Sequence, residues 1–556
     1  MSDVHEQVGP FLDGELPPAE ADAFRLHLGS CVDCQQELLD FMQLRGLARA
    51  LKQEQQASPN SITAPAAIAT PTSPPINKGD DKRGRVLPFP SRRFLVRAAV
   101  AVGSLAAAVV AVVLAQSIGH GKTSFDLGPN RLVEVRLSYQ PADGYRPYNV
   151  TRAADTHWET ALSLSSLSWL ESHGDEHGVA VGHLLRGELD AAQSSLAQAD
   201  AKNPDVISDH AALALLQGQP ATSFTLSQQA LKLKPRHPQA TWNEGLALEQ
   251  MGLLGEASRS FNSVATYKEQ GWSEEAQERA RSLYEQVQSF RTEVAAGKKL
   301  ALQLALEGKP LPNDWVEQHA ELARAAFYQA VAAAPTAERL QALSTLAATL
   351  DSRYEGHVLA NELEAITKKD FAARAPLASA FQVLLSGQMN DPARRATFMS
   401  QLESSDQPDI VLQALPLLDA LPQELKAYQA AADQLGDPWF LTRAGALQVH
   451  AALDAGASAQ AEEMLTKLKE HCQSEPLLLP CIELEIEMSR EAEQTHHLDE
   501  AMEHAQQALR WARSSRQPNQ VVAALNRLAQ LHQADGTLVE VFHREGLKWR
   551  PDETIH

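Results

Sequence analysis

RGELDAAQSSLAQADAKNP runs from residue 186 to residue 204, and its spacing decides how most of the chain is read. Gly187 is followed by Ala192, Ala199 and Pro204. The pattern returns in QGQPATSFTLSQQALKLKP (217–235), with Gly218, Ala230 and Pro235, and in GLALEQMGLLGEASRSF (245–261), with Gly252 and Ala257. The turn glycines Gly187, Gly218 and Gly252 are 31 and 34 residues apart. Ala192 and Ala257 come five after their glycines, where two helices must approach closely. Ala199 and Ala230 come twelve after, Pro204 and Pro235 seventeen after, and Gly245 lies seven before Gly252. A period of this length, marked by small residues and turns, predicts helix pairs. Each pair leaves an apolar face that the next must cover.

These are the small-residue and turn positions of a tetratricopeptide repeat, which the segment resembles. HLDEAMEHAQQALRWARSSRQPNQVVAALNRLAQLHQADG (497–536) looks like another unit. Between about 290 and 480 the periodicity is helical without clean repeat markers, and a non-repeat helical domain is the alternative there. We therefore expect tetratricopeptide repeats over 156–290 and degenerate helical repeats over 291–556. Before them, RLVEVRLSY (131–139) alternates in strand fashion, and residues 119–155 are expected to form a short strand or an extended arm against the first helices.

The other end of the chain carries different chemistry. HLGSCVDCQQEL (27–38) brings His27, Cys31 and Cys34 within eight residues. LPPAEADAFRLHLGSC predicts a helix. Pro17 and Pro18 suit its start, Glu20 and Asp22 its first turn, and Ala21, Phe24 and Leu28 form its apolar stripe. A second helix is predicted from near Cys34 past Leu51, with Leu38, Phe41, Leu44 and Ala48 facing inward. One imidazole and two thiolates at such a corner suit tetrahedral Zn²⁺, which would staple a core too small to hold itself. FLDGELPPAEADAFRLHLGSCVDCQQEL resembles the zinc-containing anti-sigma family over about residues 1–50. The resemblance implies a helical fold that clamps a sigma factor, with His27, Cys31 and Cys34 as zinc ligands. The family's upstream ligand register falls on Met1, and His5 is the nearest candidate for the fourth position.

AAVAVGSLAAAVVAVVLA (98–115) has 18 residues and no charge. At about 1.5 Å per residue it nearly crosses a hydrocarbon core of about 30 Å, and Phe94, Leu95 and Val96 extend it beyond Arg97. A transmembrane helix is expected over 94–118. Lys78, Lys82, Arg83, Arg85, Arg92, Arg93 and Arg97 precede the apolar core, against Lys122, Arg131 and Arg136 after it. That asymmetry predicts a cytoplasmic N-terminus and an extracytoplasmic C-terminal region, hence a single-pass protein of the inner (cytoplasmic) membrane. Residues 56–93 are rich in Pro, Ser, Thr and Ala without apolar periodicity, and read as a flexible linker after a zinc-binding domain at 1–55.

The net charge of −21 argues against nucleic-acid binding by the whole protein. Cys472 and Cys481, in HCQSEPLLLPC, lie nine apart across a predicted turn with Pro476 and Pro480. Outside the cytoplasm a disulfide is feasible; two buried thiols are the alternative. Cys472 beside His471 makes a poor nucleophile–base pair, because sequence neighbours do not easily reach each other. GHGKT (119–123) lacks the first phosphate-loop glycine, since position 116 is Gln116. His496 and His497 read as a solvated helix start rather than a metal pair. No catalytic residue is predicted, and the chain is expected not to be an enzyme.

RLVEVRLSYQPADGYRPY, with the repeat segments after it, is also similar to bacterial proteins that join a zinc-finger-like N-terminus and tetratricopeptide repeats to a caspase-like CHAT protease domain. No sheet-forming, Gly-rich segment of that kind follows the repeats here. The expected fold is thus all-α, with a small zinc domain, one transmembrane helix and an α-solenoid. The expected partners are a sigma factor, the membrane, and a protein or peptide ligand of the solenoid. A membrane-tethered scaffold without sigma-factor binding is the alternative.

Overall fold

The computed structural model describes residues 127, 129–131, 133–148, 164–353, 356–474 and 478–550. The expected zinc domain at 1–55, the linker at 56–93 and the span at 94–118 lie outside the described residues, as do the helices read around His27 and Cys34. All the described residues fall within one unit, Val110–His556. Among them every regular element is helical, and no helix is long and apolar enough to cross a membrane.

The helices begin with α1 (Leu164–Ser172), α2 (Glu176–Leu185) and α3 (Leu189–Leu196). Then come α4 (Pro204–Leu216), α5 (Pro220–Leu233), α6 (Pro238–Gln250), α7 (Leu254–Ala265) and the 31-residue α8 (Trp272–Leu302). Each even-numbered helix from α2 to α6 packs on its odd-numbered successor, and α4 touches α6 beyond it. The sequence explains the punctuation. Gly187, Gly218 and Gly252 have φ of 72°, 72° and 73° between the helices of a pair, a left-handed conformation that a Cβ disfavours. Ala192, Ala230 and Ala257 are fully buried at helix crossings. At Gly245 a Cβ would stand 2.9 Å from Cζ of Phe261, so only glycine lets α6 approach α7 this closely.

Pro204 opens α4 behind the cap of Asn203, whose side chain accepts from Asp205 N. Pro235 lies in the turn before α6, as expected of a turn position, and Pro238 opens that helix behind His237. A proline is accepted at the first helical position because that N–H has no intrahelical partner. Residue 290, where the expected tetratricopeptide repeats end, falls inside α8. Val287, Phe290 and Val294 continue its buried stripe, so nothing in the packing ends there.

A π-helical turn, Gln303–Glu307, closes α8. The middle of the chain follows as α9 (Asn313–Gln318), α10 (Ala320–Ala332), α11 (Ala337–Gln341), α12 (Ser344–Arg353), α13 (Val358–Thr367), α14 (Phe371–Leu385), α15 (Pro392–Glu403), α16 (Pro408–Leu417) and α17 (Leu425–Leu435). The last helices are α18 (Pro438–Asp454), α19 (Ser458–Ser474), α20 (Leu478–Gln494), α21 (Leu498–Ser514), α22 (Pro518–Leu531) and α23 (Gly536–Lys548).

The array does not run on as an open stack. Leu509, Val521, Leu525, Leu538, Phe542 and Trp549 belong to the same core as Trp242, Phe261 and Phe290 of the first repeats. A second core around Phe327, Tyr328, Phe381 and Trp439 serves the middle helices. The chain end is clasped to α7. The Glu545 carboxylate is buried and accepts from the N–H groups of Gly255 (3.0 Å) and Glu256 (2.9 Å). These are free donors at a helix start, where negative charge is favoured. Trp549 donates to the same carboxylate at 2.7 Å, and Lys548 pairs with Glu256 at 2.6 Å.

Candidate functional site

Sequence reasoning pointed to the strand-like run 131–139 without saying where it goes. The described arm, 131 and 133–148, makes no strand. It is extended backbone laid across the faces of α2, α4, α6 and α8. Val133, Val135, Arg136, Leu137 and Ser138 are all buried, so burial does not alternate as it would on a one-sided strand. Backbone groups this deep must find partners, and helix side chains supply them. Asn243 of α6 takes both polar groups of Arg136, accepting from its N–H at 2.9 Å and donating to its carbonyl at 2.8 Å. Asp209 of α4 accepts from Ser138 N at 2.6 Å. Trp242 Nε1 donates to the Glu134 carbonyl at 3.0 Å, and Trp272 Nε1 to that of Asp143 at 3.2 Å.

The groove follows from repeat geometry. Gly178, Asp209 and Asn243 each lie nine residues before a turn glycine. They are therefore equivalent positions on the inner helices of successive pairs, and each meets the arm. At Gly178 a Cβ would come within 2.8 Å of the Tyr139 hydroxyl. Tyr139 in turn donates to Asp175, the N-cap of α2, at 2.6 Å. The arm turns at Tyr139–Ala142, where Ala142 N donates to the Tyr139 carbonyl, and its ends meet where Arg131 N donates to the Pro147 carbonyl at 3.0 Å.

Two arginines anchor the arm beside α8. Both stack on the Trp272 ring, with the guanidinium carbons of Arg131 and Arg136 at 4.2 and 4.3 Å from its centroid. Arg131 pairs with Glu275. Arg136 pairs with Asp143 at 2.7 Å and with Glu269 at 2.7 Å. Burial drags the Arg131 guanidinium below its ordinary range despite Glu275. At Arg136 burial pulls the same way, but the hydrogen bonds to Asp143 and Glu269 outweigh it and hold the cation. His177 of α2 sits 2.7 Å from Asp209. Burial opposes its charge, yet the bond to Asp209 lifts it above the usual histidine range. On the arm's other limb, the Tyr145 ring lies over Gly271, which has φ 78° and no Cβ to intrude. The signal available in the sequence was the equivalence of 178, 209 and 243. Asp209 and Asn243 are polar residues, both fully buried, at that equivalent position.

The remaining predicted site residues divide in two. His5, His27, Cys31 and Cys34 lie outside the described residues. On donor chemistry the set of imidazole and thiolate suits zinc; among the described residues no group of three or more His, Cys, Asp or Glu could hold a metal. Cys472 and Cys481 are joined as a disulfide with Cα atoms 5.8 Å apart, tying the end of α19 to the start of α20. Cys472 therefore offers no thiol to His471, which lies 3.2 Å from the Thr442 hydroxyl. His496, at φ 65°, and His497 stand exposed at the start of α21.

Comparison with known proteins adds one match. Residues 2–35 match a family model described as "Putative zinc-finger". The matched stretch includes His5, His27, Cys31 and Cys34. No curated protein matches the chain. The chain thus joins an N-terminal zinc-finger-type segment, of the kind found in anti-sigma factors, to an all-helical C-terminal region packed in the manner of repeats.

Proposed function

We propose that this protein is a membrane-anchored regulator of the anti-sigma type. Its N-terminal segment would sequester a sigma factor in the cytoplasm. Its helical array would bind a protein or peptide signal on the other side of the membrane. The match over residues 2–35 carries the first half of this reading. It covers the donors His27, Cys31 and Cys34, with His5 as the candidate fourth ligand and Zn²⁺ as the ion they would bind. The charge-free run 98–115, with its basic N-terminal flank, supports the topology. So does the Cys472–Cys481 disulfide, since such bonds persist in oxidising compartments.

The test is co-purification of the detergent-solubilised chain with sigma factors of its own cell, with and without zinc chelation. Retention of one sigma factor, lost on chelation and in Cys31→Ser/Cys34→Ser, supports the reading. A zinc-loaded chain that retains none overturns it. The second reading is a membrane-tethered scaffold for protein–protein interactions, without sigma-factor binding. It is favoured by a groove whose inner helices grip an extended polypeptide.

A further inference from the structure

We propose that residues 131–148 are an internal peptide ligand, and that the groove they fill receives an extended segment of a partner protein bearing two arginines five residues apart. The inference deepens the reading of the array as a protein-binding unit and does not depend on sigma-factor binding.

Three observations carry it. First, the groove grips main chain. Asn243, Asp209, Trp242 and Trp272 all bond to arm backbone, and any extended polypeptide offers the same groups. Second, side-chain choice is confined mainly to two guanidinium sites over the Trp272 ring, with Glu275 and Glu269 as their acidic partners. A planar cation that stacks on indole while pairing with a carboxylate is the chemistry of arginine rather than lysine. Third, the arm belongs to no helix or sheet of the array. The pairing of α2 with α3, α4 with α5 and α6 with α7 is made without it.

The same facts forbid a groove that simply empties. Val133, Val135 and Leu137 are buried in the core shared by the repeats. Leaving would expose them and the apolar residues they cover, at about 25 cal/mol per Å². The arm must be exchanged for a segment that restores both the apolar contacts and the arginines. A partner therefore competes with the arm, and its affinity is reduced by the fraction of time the arm is seated.

The probe is a fluorescent 20-residue peptide, PNRLVEVRLSYQPADGYRPY, copied from residues 129–148. It is titrated by anisotropy into the intact chain and into intact Arg136→Ala. That substitution weakens the arm and leaves every groove residue in place. The variant should bind the peptide at least about tenfold more tightly than the natural chain does. A peptide with the arginines of positions 131 and 136 replaced by alanine, and that of position 146 kept, should bind the variant about tenfold less tightly than the unaltered peptide. Equal binding of the two peptides, or no gain in the variant with its melting transition kept, overturns the proposal. Should the variant not fold, hydrogen exchange on the natural chain decides. Excess peptide should raise exchange over 133–139 while α4 and α6 stay protected; an unchanged arm overturns the inference. A chain that still captures partner proteins while refusing the peptide refutes the groove ligand and leaves the protein-binding reading standing.

Discussion

The first repeats and the middle helices solve one problem differently. Both must join helices that are not neighbours in sequence. From α2 to α8 the joining is done by small residues. Ala192, Ala230 and Ala257 are buried, and Gly245 accepts the Phe261 ring. The polar side chains on the inner faces hold the arm. From α10 to α18 buried ions link the helices. Arg374 is fully buried, pairs with Asp409 at 2.7 Å, and donates to Gln407 at 2.8 Å and to the carbonyls of Ala334 and Val331. Arg324 and Tyr328 meet Asp437, the N-cap of α18. Regular pairs repeat one contact and need only close approach. Irregular ones need a directional staple at each junction, whose partners are costly to separate once buried.

The largest effect should come from breaking such a staple. Arg374→Ala leaves Asp409 without its cation in the interior, and should cost about 3–5 kcal/mol in the unfolding of the middle helices. Urea unfolding followed by the Trp439 signal measures this. A loss under about 1 kcal/mol would mean that apolar packing, not the ions, joins the middle helices.

Next in size is the clasp, which joins the chain end to the first repeats by a charge at a helix start. Glu545→Ala removes the acceptor of the Gly255 and Glu256 N–H groups and of Trp549, at about 2–3 kcal/mol. Amide exchange at Gly255 and Glu256 should accelerate first. Unchanged exchange there would show that Leu538, Phe542 and Trp549 close the array by apolar contact alone.

The smallest effect concerns a carboxyl with no full counterion in the regular region. Burial pushes Glu244 of α6 up to about 7, against the pull of its bond from Gln228. Between about pH 4.5 and 7 the folded chain therefore holds a proton that the unfolded chain has released, and stability falls as pH rises through that window. Glu244→Gln should raise Tm by about 2 °C at pH 8 and leave it unchanged at pH 4.5. In the middle region Glu362 is likewise driven up by burial and by the nearby Asp437 and Asp409. Substituting it should steepen the contrast, because its surroundings are more acidic.

What could be read from the chain divides along the same line. Gly187, Gly218 and Gly252 were visible because the left-handed turn they make nearly requires glycine. Elsewhere the same conformation is shared between glycines (Gly308, Gly387, Gly436 and Gly456) and residues that carry no such mark (Asp419, His496 and Arg516), so the punctuation of the middle and last helices is uneven. The extended character of 131–139 was legible in its alternation. Its destination was not, because the Asn243 and Asp209 that receive it resemble any polar helix residue until repeats are laid over one another. The return of α23 to α7 was invisible for a related reason: contacts between residues about 290 positions apart leave no local pattern. His27, Cys31 and Cys34 lie within eight residues of one another, so the pattern that the zinc-finger family model matches over residues 2–35 is a local one.

The account rests on the arm being seated in the groove of the intact chain, and hydrogen exchange over residues 133–139 tests that most directly. The natural chain should protect the amides of Arg136 and Ser138 at least about a hundredfold, and Asn243→Ala should remove most of that protection while α14 and α16 keep theirs. Exchange of both amides at the rate of an open peptide in the natural chain would contradict it.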